Sequence, residues 1–173
     1  MARTIELLPG PGLDAALRRL WWLLLEAGLP SQARHTHASN RPHATMTRCE
    51  LDQRTLDSVL AEAGQWLPAT APLGEMRFLG RGERQALVVS IRPVPWLTAL
   101  HRQVHERVSA ANGTPHPLHR PSRWVPHVTL ARGLDSSRRR SAMRSLVGTH
   151  VTEQEWVGVR SYDEADRSIA EVS

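Results

Sequence analysis

Two short stretches of this chain carry the same reactive side chains at the same spacing. Arg41 to Arg48 reads R-P-H-A-T-M-T-R, and Trp124 to Arg132 reads W-V-P-H-V-T-L-A-R. Laid over each other at an offset of 84 residues, they match His43 with His127, Thr45 with Thr129 and Arg48 with Arg132. In an extended strand residues i and i+2 share a face, about 6 to 7 Å apart, so each imidazole lies beside its own hydroxyl. If the two copies meet as pseudo-symmetric halves, two imidazoles and two hydroxyls converge on one cleft. Such a set suits a phosphate diester: one His takes a proton from the attacking oxygen, the other returns one to the leaving oxygen, and the hydroxyls hold the non-bridging oxygens. A lone His on a strand is by default a hydrogen-bonded structural residue. The recurrence of the pair in register favours chemistry, because duplicated core positions would keep apolar residues.

The opposite face of each stretch is apolar, Ala44 and Met46 in one and Val128 and Leu130 in the other. That alternation predicts strands with one side packed under helices. Arg48 and Arg132 stand an odd number of residues from their His and are expected on the far face unless a bulge intervenes. Arg41 in the preceding loop, Arg132, and Trp124 as a base-stacking ring or a half-buried cleft edge are the further substrate-binding candidates, beside Thr45 and Thr129. Tyr162, the single Tyr, either lines the pocket or closes the core.

Two H-x-T motifs in matched R-P-H-x-T and V-P-H-x-T settings, about half a chain apart, resemble the two-histidine (2H) phosphoesterase superfamily, and within it the 2'-5' RNA ligase or RNA 2',3'-cyclic phosphodiesterase family. The resemblance covers nearly the whole chain. It implies an α+β, pseudo-symmetric bilobal fold of two antiparallel sheets flanked by helices with a central cleft. It implies one domain over residues 1–173, with the motif strands at about 41–49 and 124–132. It also implies His43 and His127 as catalytic residues in metal-free hydrolysis of a 2',3'-cyclic phosphate, with His127 as base, His43 as acid and no cofactor. RNA ends or small cyclic or 2'-5'-linked nucleotides are the implied partners, and reverse 2'-5' ligation is the same chemistry run backwards. After the first motif, Thr47-Arg48-Cys49-Glu50 depart from the apolar continuation common in the family, and Phe and Tyr occur once each. Both departures turn attention towards small nucleotides. The alternative reading is a non-catalytic nucleotide- or RNA-binding module on the same fold.

Composition agrees with these expectations. All 22 basic residues are Arg and the net charge is +5, which permits an anionic ligand that Arg grips in a planar, bidentate way. No apolar run approaches the roughly 18 residues of a membrane span. The start, Met1-Ala2-Arg3-Thr4, runs directly into a strand pattern, and Cys49 alone allows no internal disulfide. A cytoplasmic, monomeric protein without membrane partners is therefore expected. His35 with His37, and His101 with His105, have no Cys or Glu at ligand spacing, so no metal is expected there. The second pair is expected on a solvated helix side.

The elements that must position the motifs follow from periodicity. A strand at Thr4 to Leu8 leads through Pro9-Gly10-Pro11-Gly12 into a helix ending at Gly28, with Leu13, Leu17, Leu20, Trp21 and Leu24 inward. Asp52 or Thr55 caps a second helix. Pro68 to Gly74 reads as a linker, followed by strands at Glu75 to Arg81 and Gln85 to Arg92, the latter central. A helix from Trp96 ends at Asn112-Gly113. After the second motif, Asp135 or Ser136 opens a helix with Met143, Leu146 and Val147 inward and its Arg run outside. A hairpin from Glu155 to Val172, turning at Asp163 to Asp166, ends the chain. Helix, loop rich in His, Arg and Pro, then H-x-T strand thus occurs twice.

Overall fold

The computed structural model describes residues 2–163, 165 and 167–172. Its first half runs β1 (Arg3–Pro9), α1 (Pro11–Glu26), a 3-10 turn at Gln32–Arg34, β2 (Ala44–Cys49) and α2 (Gln53–Gly64). Two connecting strands follow, β3 (Ala69–Thr70) and β4 (Leu73–Leu79). The second half repeats the first order as β5 (Gln85–Ile91), α3 (Pro95–Ala110), a 3-10 turn at Pro117–His119, β6 (His127–Leu134) and α4 (Ser136–Ser145). Strands β7 (Glu155–Asp163) and β8 (Ile169–Val172) complete it. Of the expected turn of the last hairpin, Glu164 and Asp166 lie outside the described residues.

Both sheets are antiparallel. One is ordered β2-β1-β7-β3 with β8 also on β7, and the other β4-β5-β6. The long helices start at prolines 84 residues apart, Pro11 and Pro95, where the fixed φ is preorganised and the missing N–H costs nothing. They also end alike. Gly28 (φ 72) and Asn112 (φ 57) take the left-handed conformation, and Leu29 and Gly113 bond back to the Leu24 and Val108 carbonyls in a Schellman closure. Asp52 and Asp135 cap α2 and α4 by accepting from the Thr55 and Arg138 amides.

Each long helix packs against a motif strand of the opposite half, α1 against β6 and α3 against β2. The inward residues of α1 are those its spacing predicts, Leu13, Leu17, Leu20, Trp21 and Leu24. On α3 the buried row is Leu97, Leu100, His101, Val104 and Val108. Three expectations are corrected. The linker at 68–74 contains β3, paired with β7. Met143 and Val147 are exposed: Val147 lies past the end of α4, which stops at Ser145 with Leu146 as its cap, and Met143, inside the helix, stands on its outer side with Arg139 and Arg140, so Ala142 and Leu146 are the residues that turn inward. His101 is 2% exposed instead of lying on a solvated helix side.

His101 is buried because β2 needs a donor. Ile5 faces Thr47 while Glu6 faces Thr45, so Met46 is the extra residue of a bulge and the ladder is locally broken. His101 Nε2 donates to the Met46 carbonyl at 3.1 Å, and the Trp124 indole donates to the Thr45 carbonyl at 2.9 Å. The two rings stack on each other at 3.8 Å, within 4° of parallel. The second half bulges at the matching place: Leu87 faces Ala131 and Val88 faces Thr129, leaving Leu130 extra. There the Trp21 indole donates to the Thr129 carbonyl at 3.0 Å. Buried carbonyls of this kind are costly without a partner.

Burial pushes His101 down to about 4, and the neighbouring His105 and His119 act the same way, against the bond to Met46. A folded-state value below the ordinary imidazole value of about 6.5 means that the unfolded chain binds the proton first. Stability is then fully present above about pH 6.5 and falls towards pH 4, by up to about 1.4 kcal/mol per pH unit for this one group. Urea unfolding at pH 7, 5.5 and 4.5 should show that decline, and His101→Gln should flatten it in part. His119, likewise pushed down to about 4 by burial and then by His116 and His127, keeps a residual slope.

Candidate active site

His43 immediately precedes β2 and His127 opens β6. Each ring is tethered through Nδ1 to the carbonyl two residues back, His43 to Arg41 at 2.8 Å and His127 to Val125 at 2.6 Å. The residues between, Pro42 and Pro126, hold their predecessors extended. Because a carbonyl only accepts, Nδ1 carries the proton in both neutral rings, and Nε2 is the nitrogen left to exchange one. Both rings line one hollow of about 710 Å³, together with Thr45, Thr129, Arg48 and Arg132.

The paired bulges correct the expected direction of the arginines. An extra residue between Thr and Arg turns an odd spacing into an even one, so Arg48 and Arg132 come round to the side of the imidazoles. Tyr162 also lines the hollow. Arg41 does not. Its Nη1 lies 3.3 Å from Glu171 and its Nε 3.9 Å from Asp14, an ion-pair position outside the lining. Trp124 is likewise absent from the hollow, since its ring is stacked on His101 and its N–H is used by Thr45. It is the half-buried packing residue of the two expected placements, tied to the strand and stacked on His101.

Several lining residues escape sequence reasoning. The main one is Glu6 on β1, 2% exposed. Its Oε1 accepts from Thr4 Oγ1 at 2.6 Å and lies 3.5 Å from His43 Nε2. Its Oε2 accepts from Arg160 Nε at 2.7 Å, and Arg160 Nη1 reaches the Ser39 carbonyl at 3.0 Å. Burial alone would push the Glu6 carboxyl up, but His43, Arg160 and the bonds from Thr4 and Arg160 together hold it below the usual carboxylate range. The available signal is a charged residue in the middle of an apolar strand, Thr4-Ile5-Glu6-Leu7-Leu8, with Arg160 similarly placed in β7. His119 joins from the second rim loop, accepting through Nδ1 from the Arg48 amide at 3.1 Å.

Electrostatically the hollow is made for an anion. Arg34, Arg48, Arg132, Arg160 and Arg167 line it, and Glu6 is the one acidic lining residue among the described residues. Burial pushes His127 below the ordinary imidazole range, against its bond to Val125, and the charges of Arg132 and His43 add to that. Among the described residues no group of three or more His, Cys, Asp or Glu is arranged to hold a metal, and no helix is long and apolar enough to cross a membrane. The arrangement can bind a tetrahedral anion between two hydroxyls and several guanidiniums, and it can exchange protons with that anion through two Nε2 atoms.

Comparison with known proteins agrees with this architecture. The family model described as 2'-5' RNA ligase superfamily matches residues 9–160. Among solved structures, Escherichia coli LigT complexed with 3'-AMP is similar at a TM-score of 0.54 and 10% identity, covering 98% of this chain and 92% of that chain. Kluyveromyces marxianus Usb1 with uridine monophosphate is similar at a TM-score of 0.50 and 12% identity, covering 98% of this chain and 96% of that chain. At such identities the likeness is one of fold, the 2H phosphoesterase fold. Against curated proteins the chain has no match. With the family model spanning most of the chain and the same bilobal architecture present, the protein belongs to the 2'-5' RNA ligase superfamily of 2H phosphoesterases.

Proposed function

We propose that the protein, acting as one domain, is a metal-independent phosphodiesterase that hydrolyses a ribose 2',3'-cyclic phosphate or a related 2'-linked phosphodiester at RNA ends or on small nucleotides. The observation that carries this reading is the matched pair of Nδ1-tethered imidazoles on one arginine-rich hollow. Thr45 and Thr129 hold the non-bridging oxygens, and the guanidiniums offset the charge that gathers on them during attack. His127, kept neutral by burial, takes a proton from water as the water oxygen bonds to phosphorus. His43 gives its Nε2 proton to the ribose oxygen as the phosphorus–oxygen bond breaks. Run in reverse, with a ribose hydroxyl in the place of water, the same two transfers join a 2'-hydroxyl to a cyclic phosphate. LigT with 3'-AMP and Usb1 with uridine monophosphate hold nucleoside monophosphates, the ligand class proposed for this hollow.

The test is turnover of 2',3'-cyclic mononucleotides, 2'-5'-linked dinucleotides and RNA ending in a cyclic phosphate, in the presence of a chelator, with the product phosphate located by NMR. Loss of one proton-transfer group costs about 10² to 10⁴ in rate, so His43→Ala and His127→Ala should each lower kcat by that factor while the unfolding midpoint stays close to wild type. Wild-type turnover in either variant ends the proposal. A tight phosphate-ligand complex that yields no product over hours would instead establish the binding-module reading. One neutral and one protonated ring are needed together, so kcat/KM should be bell-shaped in pH, its acid limb set by His127 below about 6.5; a profile flat from pH 5 to 9 contradicts the two-imidazole mechanism.

A further inference from the structure

The two halves of the site are built alike, yet proton transfer requires their imidazoles to differ. Following the ladders outward from each motif Thr shows where the difference lies. Thr45 faces Glu6, which faces Arg160 on the next strand. Thr129 faces Val88, which faces Arg77 on the next strand. Threonine and arginine are thus retained at both ends of the row, and the middle residue changes from a carboxylate to an apolar side chain. Val88 is fully buried and offers His127 no charge and no hydrogen bond. Glu6 is as deeply placed, but its Oε1 lies 3.5 Å from His43 Nε2.

Resting on the two-histidine reading above, we propose that Glu6 is a positioning residue that breaks the pseudo-symmetry of the site, holding His43 as the proton donor to the leaving oxygen and so leaving His127 to act as the base. Its network suits this task. Arg160 binds Oε2 and turns its Nη1 to the Ser39 carbonyl, while Thr4 fixes Oε1. The carboxylate therefore stays charged in a buried place and keeps one oxygen towards the ring. The other charged or titratable groups lining the hollow with His43 are, among the described residues, Arg160 and Tyr162 on β7, Arg167 before β8, His127 and Arg132 on β6, Arg48 on β2, Arg34, His35 and His37 of the first rim loop and His119 of the second. Glu6 is the one anion in this set.

A donor matters only where the leaving oxygen needs a proton, and this gives the test. Nucleoside 2',3'-cyclic phosphate releases a basic ribose alkoxide; thymidine 3'-(p-nitrophenyl phosphate), which has no 2'-hydroxyl, releases p-nitrophenolate without needing a proton. Glu6→Gln, isosteric and uncharged, should lower kcat on the cyclic substrate about 10- to 100-fold and on the p-nitrophenyl diester less than about threefold. His43→Ala should show the same leaving-group dependence, whereas His127→Ala should fail on both substrates. Should Arg160, left without its carboxylate, unfold that variant, Glu6→Gln/Arg160→Gln removes both charges and carries the same readouts. Equal losses on the two substrates, or no loss on either, would overturn the role of Glu6. Full turnover of the cyclic substrate by His43→Ala or His127→Ala would instead overturn the two-histidine reading on which it rests.

Discussion

The structure depends on the break in the ladder beside each motif threonine. A regular β-strand would send the arginine of each motif away from its histidine and leave no carbonyl open for a partner from across the molecule. One extra residue, Met46 in β2 and Leu130 in β6, changes both. It brings Arg48 and Arg132 to the cleft side and frees the Thr45 and Thr129 carbonyls for the indoles of Trp124 and Trp21. A bulge raises local twist and bends its strand, and here that distortion serves binding geometry and packing together. The hydrogen bonds from the indoles remove the desolvation penalty that open carbonyls would otherwise impose in the interior.

The second constraint is the exchange of covers between halves. Helix α1 leaves β1 and packs on β6, and α3 leaves β5 and packs on β2. The residues that support one motif therefore come from the segment that precedes the other. Trp21 stands ahead of the first motif but serves Thr129, and His101 stands ahead of the second but serves Met46. Two imidazoles distant in sequence end on one hollow because each strand is braced by the other repeat.

Much of this was legible in the chain. The H-x-T repeat named both histidines and both threonines that line the hollow, and the helical spacing of Leu13, Leu17, Leu20, Trp21 and Leu24 named the buried face of α1. The prolines, the Asp caps and the residues at 28 and 112 marked the helix limits. What escaped depends on partners far away in sequence. Glu6 is held by Arg160, 154 residues on, and although each is a charge set in a strand, nothing in either segment names the other as its partner until the strands lie side by side. Trp124 reads equally as a base-stacking ring or a half-buried packing residue, and only the approach of His101 from α3 marks the second as its place. Arg41 was drawn away by Glu171 of the last strand. The direction of Arg132 turned on a register shift, which arises from pairing two strands and cannot be seen in either alone. Val147 was misplaced because the periodic pattern ran on past the residue at which the backbone leaves the helix, and Met143 because Ala142 beside it, not Met143, is the residue that α4 buries.

The indole tethers also divide the molecule into a part that cannot adapt and a part that can. With both threonine carbonyls anchored to rings in the opposite half, the floor of the hollow has little freedom to widen or shift for a bulkier guest. Discrimination among guests then falls to the walls, the segments leading into Pro42 and Pro126, which carry few of the deep apolar side chains. With such a division, substitutions in the loops would reshape what the hollow admits while leaving the spacing of the two imidazoles as it is.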